Sequence, residues 1–128
     1  VRPGTDVTVV SVSRMVHDAL AAAKELAGEG VSVEVIDLRT IAPLDTETIL
    51  ASVAKTSRLL IAHEAAVPFG IGAEIAAVVA REAFWNLDAP IERIGTSAVP
   101  APYAPNLEAA WLPGATEIAD ALRRLAAV

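Results

Sequence analysis

Four short runs rich in β-branched and aliphatic residues, VTVVSVS (7–13), VSVEVIDL (31–38), RLLIAH (58–63) and IERIG (91–95), alternate with stretches whose apolar residues recur every three or four positions. Alternation of strand and helix with short connections selects right-handed crossovers. It predicts a mostly parallel sheet with helices on both faces, a three-layer α/β/α doubly wound domain. Met15, Val16, Ala19, Leu20, Ala23, Leu26 and Ala27 fall on one side of a helix that Gly28-Glu29-Gly30 ends. Pro43 breaks the chain after the second strand, and Asp45 is placed to cap a helix burying Ile49, Leu50 and Val53. Ile71, Ile75, Val78 and Val79 point inward from a third helix, which Asp88-Ala89-Pro90 ends. Ile118, Leu122 and Leu125 do the same for the last one. Between them SAVPAPYAPNLEAAWLP (97–113) reads as a long Pro-rich connection.

At 128 residues the chain suits one domain with one sizeable core, and no repeat or internal linker divides it. Residues 1–5, with Pro3 and Gly4, are expected to be the remnant of a linker, and residues 6–128 the domain proper. Apolar residues make up 54% and aromatics only 4%, so small aliphatics must build the core and helices must pack close to the sheet. The absence of cysteine removes disulfides, thiolate metal sites and cysteine nucleophiles together. No uncharged apolar run reaches the roughly 18 residues of a membrane helix, and VRPGTD has no apolar core of a signal peptide. A cytoplasmic location is expected. The net charge of −6 offers no basic patch for phosphates, which argues against nucleic acid and anionic membranes and favours a basic protein partner.

The candidate chemistry lies in LLIAHEAAVPFGIGAEI (59–75). His63 and Glu64 stand at the carboxyl end of a strand, where open α/β sheets bind ligands, and a His beside a carboxylate suits acid-base work. Adjacent strand residues point to opposite faces, so the two cannot act on one proton without a bend. The competing reading makes His63 a strand-end residue bonded to a neighbouring loop or subunit, and Glu64 a cap or interface partner. Gly70 and Gly72 at a helix start could expose N–H groups to an anion. Their spacing fits neither the dinucleotide fingerprint nor the P-loop, and tight packing at a turn explains them as well. His17, beside Asp18, sits on the polar side of the first helix, and Asp37 with Arg39 forms a local pair. No Ser-His-Asp set, metal-ligand cluster or pair of buried carboxylates can be assembled, so no catalytic, cofactor-binding or metal-binding residue is expected.

Three longer segments carry a resemblance. SVSRMVHDALAAAKEL (11–26) resembles a Ser/Gly-x-Met-Val-His-x-Ala-Leu helix start, EVIDLRTIAPLDTETI (34–49) an Asp-Leu-Arg-Thr-x-x-Pro-x-Asp segment, and PYAPNLEAAWLP (102–113) a Pro-Tyr-x-x-x-Leu-Glu run. In this order they resemble the C-terminal domain of the beta subunit of thiamine-diphosphate-dependent 2-oxoacid dehydrogenases, of pyruvate or branched-chain type. The resemblance implies a transketolase C-terminal-like fold in the decarboxylase component of a multienzyme complex, an α2β2 heterotetramer of alpha subunits and two beta subunits. Thiamine diphosphate and magnesium would be held by the parent enzyme outside this domain. The domain itself would serve assembly and docking of the dihydrolipoyl acyltransferase. In members of this kind the acid of the Leu-Asp-Ala-Pro turn and the chain's end contact a small basic binding domain of the acyltransferase. Those positions correspond to Asp88 and Val128, and Glu82 would extend the acidic patch. His63, Glu64, Gly70 and Gly72 become a structural turn near an interface. The chain departs from the family pattern at Pro68-Phe69 and at Ala98, where an acid is usual. The alternatives are the C-terminal domain of another transketolase-family enzyme, and a stand-alone flavodoxin-like module that binds an anion at the Gly70–Gly72 turn.

Overall fold

The computed structural model describes all 128 residues. Strands β1 (Val7–Ser11), β2 (Val33–Asp37), β3 (Leu59–Ala66) and β4 (Glu92–Thr96) form one sheet in the order β2-β1-β3-β4, and every strand pair is parallel. Helices α1 (Met15–Gly28), α2 (Thr46–Thr56), α3 (Ile71–Glu82), α4 (Pro105–Trp111) and α5 (Ala115–Ala126) complete the three layers, with a single 3₁₀ turn at Phe84–Asn86. The strand order reverses between β1 and β3, which is the topological switch point of a doubly wound sheet.

Alternation along the strands divides the core in two. Val7 and Val9 of β1, with Leu60 and Ala62 of β3, pack under α1 and α5 against Ala19, Leu26, Ile118 and Leu122. Val10, Leu59 and Ile61 point the other way, to Ile49 and Val53 of α2 and Ile75 and Val79 of α3. Alanines on α1 (Ala19, Ala22, Ala23) and on α5 (Ala119, Ala121) let these two helices approach closely, which is how a core with so few aromatics is filled.

The polar residues that sequence alternation places inside are satisfied in pairs. On the α2 side, the Thr8 hydroxyl lies 2.6 Å from the Ser52 hydroxyl and 2.7 Å from that of Thr56. Ser11 donates to the Ala62 carbonyl at 2.9 Å, tying β1 to β3. An unpaired hydroxyl at these depths would cost about 1–3 kcal/mol.

Residues 1–5, expected to be a linker remnant, lie along the outer edge of β2: Arg2 pairs antiparallel with Val35, and Gly4 is buried where a side chain would collide with the backbone of Val33 and Glu34. This covers a strand edge that would otherwise present unpaired N–H and C=O groups. The Pro-rich connection contains α4, whose Pro105 supplies the first helical position, where a missing N–H costs nothing. Asp45 caps α2 as expected, its carboxylate accepting from the Thr48 N–H at 3.0 Å. Val78 is half-buried, and α3 ends at Glu82, before Asp88-Ala89-Pro90.

Glu34 ties the covered edge to α2, accepting from Lys55, from the Ser52 hydroxyl and, at 3.1 Å, from the Gly4 N–H. Burial pushes the Glu34 carboxyl up, but these donors together outweigh it and hold it below its ordinary value of 4.5. A carboxyl lowered in the folded state stabilises fully above its unfolded value and loses that contribution as pH falls through the folded one. The stability of Glu34→Gln, measured by urea unfolding, is therefore expected to fall less steeply than that of the unsubstituted protein as pH drops below 4.5. Parallel curves would contradict this assignment.

Candidate functional site

The carboxyl edge of the sheet carries the turn that the sequence singles out. β3 runs past His63 to Ala66, and between Ala62 and Ala66 its register against β4 shifts, so that four residues of β3 span two of β4. This bulge is the bend that alternation alone would not supply. It does not bring His63 and Glu64 onto one proton: His63 is only 2% exposed, whereas Glu64 turns outward and accepts from Arg14 at 3.1 Å.

The His63 ring is held on three sides by glycines. Its Nε2 accepts the Gly72 N–H at 3.1 Å and its Nδ1 lies 3.1 Å from the Ala65 carbonyl. A carbonyl only accepts and a backbone N–H only donates, so the proton sits on Nδ1 and the ring is neutral. A Cβ at Gly72 would run into Nε2 and sit 2.9 Å from Cδ2; one at Gly70 would come within 3.1 Å of Cε1, and one at Gly95 within 3.0 Å of Cε1 and Nδ1. Burial holds the His63 pKa below its ordinary 6.5, opposed by the bond to Ala65 and aided by the charge of Arg93.

The same contacts remove the anion site considered for Gly70 and Gly72. The Gly72 N–H is spent on His63 and the Ala73 N–H on the Gly70 carbonyl, so these α3 amides are not free to cradle a phosphate. A second cleft of about 410 Å³ opens at the ends of β1 and β2, lined by Ser13, His17, Asp37 and Arg39. There Asp37 and Arg39 neutralise one another at 3.2 Å, and His17 lies exposed on α1. Nowhere do three or more His, Asp or Glu side chains gather in a form that could hold a metal ion.

The opposite end of the sheet carries the expected docking residues. Asp88 is exposed on the segment leading into β4, its own N–H bonded to the Ser57 carbonyl at 2.9 Å. Val128, 67% exposed, follows α5, whose Arg124 reaches Glu92 at the start of β4, 2.7 Å away. Asp88 and Val128 therefore lie at the same, amino-terminal end of the strands. Glu82 is exposed at the end of α3 but is paired with Arg81 at 3.2 Å, which offsets its charge.

Beside Asp88 the structure adds a feature that spacing did not reveal. An apolar groove of about 620 Å³ runs between α3 and the 3₁₀ turn, floored by Ala76, Ala80 and Ile91, with Asp88 the only charged residue lining it. Trp85 at its margin is 93% exposed and meets Phe84 edge to face, ring centroids 5.0 Å apart. Trp111 by contrast is half-buried on α4. The only sequence cue to the groove is the pairing of aromatics with alanines, FWN after AAVVA, which departs from an ordinary polar helix face.

These features define a doubly wound α/β domain with a structural turn at one end and an apolar groove beside an exposed acid at the other. The chain belongs to the transketolase C-terminal domain family, which matches residues 1–118. It is 54% identical over 123 residues to the pyruvate dehydrogenase E1 component subunit beta-1 of Arabidopsis thaliana, covering 96% of this chain and 34% of that protein. It is 45% identical to the beta subunit of acetoin:2,6-dichlorophenolindophenol oxidoreductase from Cupriavidus necator, over 97% of this chain and 37% of that one. Among solved structures, an inactive beta4 tetramer of a split-gene transketolase superposes with a TM-score of 0.86 at 28% identity, over 98% of this chain and 41% of that one. The chain thus spans about a third of the length of the dehydrogenase relatives it matches.

The packing around His63 makes a paired prediction. Gly72→Ala must displace the ring and is expected to destabilise the protein by about 1–3 kcal/mol. Gly28→Ala, at a helical position with nothing within 4 Å of the added methyl, is expected to be neutral or stabilising by up to about 1 kcal/mol. Chemical denaturation of the two variants checks both, and equal effects would contradict the packing role.

Proposed function

We propose that this chain is the C-terminal domain of the beta subunit of a 2-oxoacid dehydrogenase, and that it assembles the decarboxylase component and docks the dihydrolipoyl acyltransferase. The observation that carries the docking half is the apolar groove with Asp88 at its rim and Trp85 exposed beside it. A dry apolar centre with a charged rim is the anatomy of a protein interface, and exposed Trp is enriched at such contacts. A partner of basic charge would be drawn to a chain of net charge −6 and oriented by Asp88. The C-terminal carboxylate of Val128, at the same end of the sheet, adds to that field if the parent chain ends there.

The names of the relatives support the enzyme class, pyruvate dehydrogenase above all. In the parent protein the alpha subunit and the second beta subunit of an α2β2 heterotetramer would be the permanent partners. Thiamine diphosphate supplies the decarboxylation chemistry there, and no residue of this domain is assigned to it. What these residues do is hold a fold that presents two surfaces, the Gly70–Gly72 turn at the carboxyl ends of the strands and the Asp88 groove at the amino ends. Preference between pyruvate and branched-chain substrates would be set outside this domain.

Calorimetric titration with the binding domain of the cognate acyltransferase tests the proposal. Binding is expected to weaken as salt rises, because a contact at the rim is screened over about 10 Å at 0.1 M ionic strength. Asp88→Ala is expected to reduce affinity about tenfold at low salt with no change in unfolding midpoint. Unchanged affinity would remove Asp88 from the docking surface. Thiamine diphosphate with magnesium, added at micromolar concentration, is expected to leave the fluorescence of Trp85 and Trp111 unaltered. Saturable quenching would place cofactor contacts in this domain after all.

A further inference from the structure

His63 is the one buried titratable group in the core, and the proposed function assigns it no chemical step. Its position is mechanical. It bridges the β3 bulge, through Ala65, to the first turn of α3, through Gly72, and three glycines leave room for a ring and nothing larger. Between those anchors the chain turns with Phe69 at a φ of 61° and its side chain wholly exposed. A non-glycine residue in left-handed backbone costs of order 1 kcal/mol or more and persists only where its flanks are held.

We propose that His63 is a proton-operated latch on the 66–72 turn: the neutral ring fastens α3 to the β3 bulge through the Gly72 N–H, and a proton on Nε2 unfastens it. The chemistry is a matter of donors. A protonated Nε2 faces the Gly72 N–H with a second N–H, so one acceptor becomes two opposed donors at 3.1 Å. No carboxylate makes a hydrogen bond to the ring to compensate. On β4, Arg93 adds positive charge, and its own donor goes to the Val67 carbonyl at 3.0 Å. On β3, Glu64 is committed to Arg14 of the α1 start. On α3, Glu74 of the first turn is exposed to solvent, and the helix's amino-terminal end disfavours a cation beside it. Release of the latch frees the turn that displays Phe69.

The sign follows from linkage. The latched state favours the neutral ring, and the open state protonates with the ordinary value of 6.5, so latching is fully present above pH 6.5 and weakens as pH falls toward the lowered value of the latched state. Amide exchange of the protein, read by NMR across pH, tests this. The protection factor of the Gly72 amide is expected to fall up to about tenfold per pH unit below 6.5 and then level off, while amides of β1 keep theirs. His63 is expected to show the Nδ1–H tautomer and to titrate below the ordinary histidine value of 6.5. His63→Gln keeps an acceptor near the Nε2 position but cannot titrate there, and should hold Gly72 protection constant over the same range. The latch is overturned if Gly72 protection does not respond to His63 ionisation, if His63→Gln shows the same pH dependence, or if β1 and Gly72 lose protection together.

Discussion

β1 is hydrogen-bonded on both edges and buried on both faces, and every other element takes its position from that. Its neighbours β2 and β3 pair with it in parallel, which obliges each connection to cross over the sheet as a helix. The crossovers place α1 on one face and α2 on the other. Because all five residues of β1 are buried, its two polar side chains need partners, and Thr8 and Ser11 find them on α2 and β3. The sheet is thereby fastened to the helical layer by hydrogen bonds as well as by apolar contact.

Two ends of unlike character follow from this arrangement. At the carboxyl ends of the strands, where doubly wound sheets commonly bind small molecules, a histidine packs against three glycines beyond β3, and the cleft beyond β1 and β2 is lined by an Asp37–Arg39 pair that satisfies itself. At the amino ends, small residues on α3 and the 3₁₀ turn leave an apolar groove with one acid and one exposed tryptophan. The chain spans about a third of the length of the dehydrogenase relatives it matches, and its apolar groove lies away from the end of the sheet where such folds commonly bind ligands.

Much of this was legible in the residues, for definite reasons. The alternation of strand-like and helix-like runs fixes the order of the elements, and the Asp45 cap and the small aliphatic residues of α1 are local signals that tertiary contacts reinforce. Two features were not. The bulge in β3 depends on a register with β4 that no local pattern encodes, so the fate of His63, buried and bonded to Gly72, could not be read from its place at a strand end. The groove beside Asp88 depends on α3 ending early at Glu82, so that a 3₁₀ turn throws Phe84 and Trp85 outward. The hidden α4 follows the same logic: its apolar residues are too few and too exposed to show a helical period.

The proposed joining role is tested most directly in the proposed heterotetrameric parent carrying Asp88→Ala. Two rates would be compared: decarboxylation of the 2-oxoacid read with an artificial electron acceptor, which needs no acyltransferase, and the overall reaction of the dilute reconstituted complex. The account predicts an unchanged first rate and a reduced second one, restored by excess acyltransferase. A parallel loss of both rates, unrelieved by excess partner, would contradict it.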